Sequence, residues 1–278
     1  MIENIFLESV FASDVWKLGI ILLSTFLVGL LGGYVGLALG TIRLPILLFL
    51  GMPANIAAGT NILVSSLASL AGAITHWGDR RVNWSVVWKV GLASFIGGFV
   101  GAVGAHLVYE GLLISIVGIL VFWQGIEFYG MYVKFRDSEK NNNAREMTSN
   151  SEYTNFRMAS ATLMGLVVGL IGGAVGLILG TLRLPLLIKL LRMPPHIAAG
   201  TNMFIGTTLG ITGWVGHVTQ SNVDYFVLVP MAIAGMIGSF IGAKFTGKAK
   251  VSRLCFVLFV VLMISGVLLL WRGFNMLF

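Results

Sequence analysis

Charge is what this chain has least of. Only 10% of its 278 residues are Asp, Glu, Lys or Arg, while 57% are hydrophobic. A soluble domain carries about a quarter charged residues, so the balance points into the bilayer. The net charge of +7 does not suggest nucleic acid, because much of it falls between apolar runs, as membrane topology requires. Cysteine is nearly absent. Cys255 stands alone, which rules out an intrachain disulfide, and its apolar setting suits a buried, inert thiol. No His/Cys cluster has metal-ligand spacing, so no metal is expected. There is no G-x-x-x-x-G-K-[ST] loop, which argues against ATP-driven chemistry by this chain alone. Neither H-E-x-x-H nor G-x-S-x-G occurs, which leaves an enzyme without a motif, and no cofactor is implied. The first residues lack a basic stretch followed by a short apolar one and a cleavage site. Met1 to Asp14, with Glu3, Glu8 and Asp14, reads as a retained amphipathic lead-in.

What is present is long apolar sequence that does not alternate. That predicts an all-α integral membrane protein, not a barrel. Residues Gly29 to Pro45 read GLLGGYVGLALGTIRLP, and Gly169 to Pro185 read GLIGGAVGLILGTLRLP, identical at 13 of 17 positions. The hexapeptide IAAGTN occurs at Ile56 to Asn61 and again at Ile197 to Asn202. Gly97-x-x-x-Gly101 is matched by Gly238-x-x-x-Gly242. The chain is thus read as two homologous membrane repeats, 1–133 and 158–278, joined by a polar cytoplasmic linker, 134–157. Within each repeat the glycines interrupt an apolar run that ends in proline. This predicts a broken or re-entrant hairpin of short legs, interrupted at the glycines and restarting near Pro45 or Pro185, followed by three spanning helices.

Basic residues set the orientation. The linker is basic and is placed inside, with Arg80 and Arg81 on the same side. In the second repeat the matching loop, Thr219 to Asp224, has no Lys or Arg, whereas the next loop carries Lys244, Lys248, Lys250 and Arg253. The positive loop has changed places between copies. This predicts an inverted-topology repeat, the rival being a parallel one.

Arg43 and Arg183 lead the candidate site. Arginine is always charged, and its planar fork matches oxyanions. Inside a span such a charge is a functional feature by default. Helix restarts at Thr41 or Pro45 and at Thr181 or Pro185 would add N-terminal N–H groups nearby, beside Gly40 and Gly180, and matched broken helices mark a transporter's binding site. The alternative is that each arginine pins a loop or reaches a headgroup. Thr60, Asn61, Thr201 and Asn202 follow glycines in apolar helices. They read either as substrate donors or as interhelical hydrogen bonds. His76 and His217 match across the repeat and are candidates for a proton relay, or simply for a hydrogen-bonded interface position. Glu127 is an acid inside a span with no evident counterpart.

The duplicated glycine-rich hairpin ending in proline, with an A-x-G-T-N helix after it, resembles the TauE/SafE sulfite-exporter family over essentially the full length. The family pattern, roughly G-x-G-G-G-x-x-x-V-P, aligns with Gly36 to Pro45 and Gly176 to Pro185. Ala38, Leu39, Ile178 and Leu179 replace glycines, Gly40 and Gly180 are kept, and the two arginines lie outside the general pattern. The resemblance implies a multi-pass permease of the prokaryotic plasma membrane for small anions, often sulfur oxyanions or organosulfonates. The partners expected are a small anionic substrate and the lipid bilayer, with no nucleic acid; a homo-oligomer is left open. The competing readings are an anion channel, built from paired re-entrant segments, and a membrane scaffold or assembly protein.

Overall fold

The computed structural model describes residues 15–141, 155–245 and 251–277, which form ten α-helices and no strand. In chain order these are α1 (Val15–Val35), α2 (Gly40–Phe49), α3 (Ala54–Gly78), α4 (Trp84–Gly104), α5 (Glu110–Asn141), α6 (Asn155–Val175), α7 (Gly180–Lys189), α8 (Pro195–Val218), α9 (Tyr225–Lys244) and α10 (Val251–Leu277). A 3₁₀ turn, Ala105–Leu107, follows α4. Seven of the described helices are long and apolar enough to cross a membrane. The lead-in Met1 to Asp14 and the Lys248–Lys250 loop lie outside the described residues. Of the predicted linker, 134–141 continue α5, 155–157 begin α6, and the remainder lies outside the described residues.

The helix α3 forms the centre of the molecule and α10 its rim, since the apolar stretch of α3 is 83% buried and that of α10 only 28%. The outer helices turn large apolar side chains outward, for example Leu23, Leu27, Phe95, Phe99, Leu163 and Ile264. Unscreened side chains of this kind on every outer helix suit contact with lipid.

Contacts along the helices fix their directions. Gly59 lies against His217, Ser66 against Thr207 and Gly210, and Gly72 against Met203, so α3 and α8 run antiparallel. Gly111 meets Met276 and Gly125 meets Met263, which makes α5 and α10 antiparallel as well. Gly29 meets Gly235 and Gly33 meets Ser239, so α1 and α9 run in the same direction. Gly165 meets Ser94 and Gly173 meets Gly98, which gives α6 and α4 the same relation. The last two pairs each join the first helix of one half to the fourth helix of the other.

The glycines explain how close these pairs come, and here the expected break moves. Gly32 and Gly33 do not interrupt α1, which runs through them to Val35. A Cβ on Gly33 would collide with the backbone of Ser239, so this glycine serves helix approach. The break comes at Gly36, whose φ of +77° is left-handed. The N–H groups of Gly36 and Leu37 both bond to the Gly32 carbonyl at 2.9 Å, closing the end of α1. Residues 37–39 are non-helical, and α2 restarts at Gly40. Pro45 therefore lies inside α2, one turn later than a restart at proline would place it. There it leaves the Thr41 carbonyl without its helical donor.

Two polar contacts hold the ends of α2 and α3. The Ala54 N–H at the start of α3 donates to the Glu110 carboxylate at 3.0 Å, a favourable place for negative charge. Arg272 donates to the Leu48 carbonyl near the end of α2.

Candidate functional site

The two broken segments put a short helix start, with no side-chain cap, in the interior of the bundle twice. Arg43 and Arg183 are each the fourth residue of such a helix. Both are buried, at 2% and 0% exposure, as are Thr41 and Thr181 beside them. Their side chains turn to the following long helix. Arg43 Nε donates to Asn61 Oδ1 at 3.3 Å, and its Nη2 donates to Ser65 Oγ at 2.5 Å. Arg183 Nε donates to Asn202 Oδ1 at 2.8 Å, and its Nη2 donates to the Asn202 carbonyl at 3.2 Å. The asparagines then reach back. Asn61 Nδ2 donates to the carbonyls of Gly40 and Gly176 (3.2 and 3.0 Å), and Asn202 Nδ2 donates to that of Gly180 (3.3 Å). Asn61 thus ties α3 both to its own short helix and to the broken segment of the other half.

Neither arginine forms an ion pair among the described residues, and Nη1 of each has no hydrogen-bond partner. Asp224 is the sole acid among the described buried polar residues, and it caps α9 through the Val227 N–H. Among the described residues, the two buried guanidinium groups therefore have no counter-charge. An uncompensated buried ion costs on the order of several kcal/mol. That penalty is the strongest chemical feature of the molecule.

A small cavity of about 10 Å³ lies beside Arg43, lined by Ser65, Ser69, Ser239, Met203 and the non-helical residues Leu37 to Leu39. It has room for about one water. Ser69 and Ser239 are buried, and neither hydroxyl has a partner. The Arg183 side is close by. A Cβ built on Gly206 would lie 3.5 Å from Arg183 Nη2 and 3.7 Å from Ser69 Oγ.

The other candidates are placed differently. The Thr60 hydroxyl accepts the Asp224 N–H at 3.0 Å, and the Thr201 hydroxyl accepts the Asn83 N–H at 2.9 Å. These are matched contacts, each joining one half to the residue that starts a helix of the other. His217 is buried with its Nε2 2.9 Å from the Gly173 carbonyl, and His76 is buried with no partner on either ring nitrogen. Neither histidine lines the cavity beside Arg43, and nor does the half-buried Glu127. Sequence reasoning did not single out Ser65, Ser69 or Ser239 as site residues. The available signal was a mismatch between the copies, because the repeat carries Gly206, Gly210 and Gly98 at the corresponding positions.

Apolar helices long enough to cross a bilayer, around a buried, cation-bearing centre, define the class of multi-pass membrane proteins. The chain belongs to the sulfite exporter TauE/SafE family, whose sequence model matches residues 21–269. Among its relatives, the probable membrane transporter protein YdhB of Bacillus subtilis is 26% identical over 91% of this chain and 100% of its own length. The probable membrane transporter protein YunE of the same organism is 24% identical over 88% of this chain and 94% of its own. The probable membrane transporter protein MJ0441 of Methanocaldococcus jannaschii is 22% identical over 91% and 95%. No solved structure matches the chain.

Proposed function

We propose that this chain is a secondary carrier for a small anion, a sulfur-containing oxyanion or organosulfonate, working by alternating access in a prokaryotic plasma membrane. The observation that carries this reading is the pair of buried guanidinium groups without a carboxylate partner. A buried cation persists when something neutralises it, and here the missing partner is supplied by the cargo. Arg43 and Arg183 hold the anion. Asn61 and Asn202 orient them, and the first turns of α2 and α7, with Gly40, Thr41, Gly180 and Thr181, add N–H groups and hydroxyls. Thr60 and Thr201 serve the join between halves, where their hydroxyls are engaged. His217 joins the end of α8 to the Gly173 carbonyl of α6. The family description and the relatives' names support transport, and sulfur chemistry comes from the family description alone.

Two inverted repeats, 1–133 and 158–278, account for the architecture. Support comes from the opposed directions of α3 and α8, which carry the same hexapeptide. With three crossings before Arg80, counting the non-helical segment plus α2 as one return, the basic loops all fall on one face. That agrees with the positive-inside rule. Residues Leu37 to Leu39 line the cavity, and cargo enters when the broken segment draws back.

The test is thermal stability of the purified protein in detergent against sulfite, thiosulfate, sulfoacetate, carboxylates, phosphate and chloride at fixed ionic strength. A ligand bound only by the folded state raises the melting temperature with occupancy. A selective shift for a sulfur oxyanion, absent in Arg43→Ala and Arg183→Ala, is the expected result. No shift with any anion would refute the assignment.

A further inference from the structure

We infer that the cavity beside Arg43 is an oxyanion subsite in which Ser69 and Ser239 donate to the oxygens of a doubly charged cargo, neutralised jointly by Arg43 and Arg183. The inference deepens the carrier reading and rests on it.

The argument starts from hydroxyls that have nothing to do. Ser69 is 0% exposed and Ser239 1%, both hydroxyls lack a partner, and Arg43 Nη1 beside them lacks one too. An unsatisfied buried polar group is destabilising, and native interiors leave few of them. Three donors that have no partner within the protein line one cavity, an arrangement that can serve the oxygens of an anion. The duplication gives an internal control. The second copy meets the same packing demands with Gly210 in place of Ser69 and Gly98 in place of Ser239. Packing alone is thus satisfied by glycine, and the hydroxyls are added on the Arg43 side only.

The kind of ligand follows from the kind of group. Every unpartnered group at this cavity can donate, and no carboxylate lines it. A cation has no counter-charge there, and a zwitterion bearing an ammonium would bring an unpaired positive charge to two arginines. Charge balance then sets the valence. A monoanion leaves one of the two guanidiniums uncompensated, whereas a dianion neutralises both. The second arginine stands across the Gly206 backbone from Ser69, so its charge acts on the same ligand through space. Ser69 and Ser239 stand on the long helices α3 and α9, so they stay in place when the segment at Leu37 to Leu39 moves.

The experiment titrates the full-length protein in detergent, at fixed pH and ionic strength, and reads the melting temperature. The ligands are sulfate and thiosulfate as dianions, methanesulfonate as the same head with one charge, taurine as that head with an ammonium, and chloride. Sulfate is expected to bind at least tenfold more tightly than methanesulfonate, with taurine weakest. Ser69→Ala and Ser239→Ala should each weaken sulfate about 10- to 100-fold, the loss of a hydrogen bond to a charged group. Neither should lower the melting temperature of the ligand-free protein. Ser66→Ala, whose hydroxyl is spent on the Thr207 carbonyl at 2.8 Å, should leave sulfate affinity unchanged. Methanesulfonate binding as tightly as sulfate would overturn the dianion assignment. Unchanged sulfate affinity in both serine variants would overturn the subsite, and if Arg43→Ala still abolished binding, the carrier reading would survive. Absence of any anion response in the unmodified protein would overturn both.

Discussion

Replacing Arg43 by methionine separates a cargo-binding arginine from a structural one. Methionine keeps most of the side chain's length and removes its charge. Arg43 is 2% exposed and has no ion pair among the described residues. Removing such a charge relieves a penalty of on the order of several kcal/mol. Against this stand the two acceptors left behind, Asn61 Oδ1 and Ser65 Oγ, at about 1–3 kcal/mol for a group that finds no new partner. Ser65 can rotate toward a backbone carbonyl of its own helix, so its share is at the low end. The balance is a gain of about 2 kcal/mol, a rise of roughly 4–8 °C in melting temperature for a chain of this size. The assay is a melting curve in detergent with and without sulfate. The variant should melt higher than the unmodified protein without ligand and show no response to sulfate. A fall of several degrees in the ligand-free protein would refute the reasoning. It would mean that Arg43 holds the short helix against α3 and that its charge is already compensated.

Thr60→Val should cost about 1 kcal/mol, because the Asp224 N–H loses its acceptor; Thr60→Ser should restore it, and melting curves of both variants check the claim. Gly33→Leu should prevent assembly of the bundle, since its side chain would run into the Ser239 backbone; yield of folded monomer on size exclusion reads the outcome, and a normal yield would contradict the close approach of α1 to α9. Cysteines introduced as Arg80→Cys and Ser221→Cys should be labelled from opposite faces of the membrane by an impermeant maleimide, because α3 and α8 run antiparallel. The buried Cys255 gives little background. Labelling from the same face would refute the inverted arrangement.

Much of the all-helical fold could be read from the sequence because the bilayer imposes simple rules. Ala54–Gly78 and Tyr225–Lys244 are two of the expected spans, and polar loops with Pro53 or Asp224 delimit them in the sequence. What could not be read depended on partners far away in the chain. Gly32 and Gly33 look like helix breakers by intrinsic propensity, yet what Gly33 does is decided by the carbonyl of Ser239. Thr60 looks like a candidate substrate donor because it follows a glycine in an apolar helix, but its partner lies 164 residues on. The arginines were visible as charges in an apolar run, and their burial followed from that. Their dependence on Asn61 and Asn202 was visible only as a repeated spacing. The serines were hidden because serine in a membrane helix ordinarily packs or bonds its own backbone, as Ser115 does to Gly111 at 2.8 Å. Only the absence of such a bond at Ser69 and Ser239 sets them apart.

Counterflow in proteoliposomes tests the central claim most directly. Vesicles loaded with unlabelled sulfite or sulfate would be diluted into a trace of the labelled anion, and uptake followed against concentration. The account predicts saturable exchange by the unmodified protein, and none by Arg43→Ala or Arg183→Ala reconstituted to the same level. Undiminished exchange in the arginine variants, or non-saturating flux with resolvable single-channel currents, would contradict a carrier built on these two buried cations.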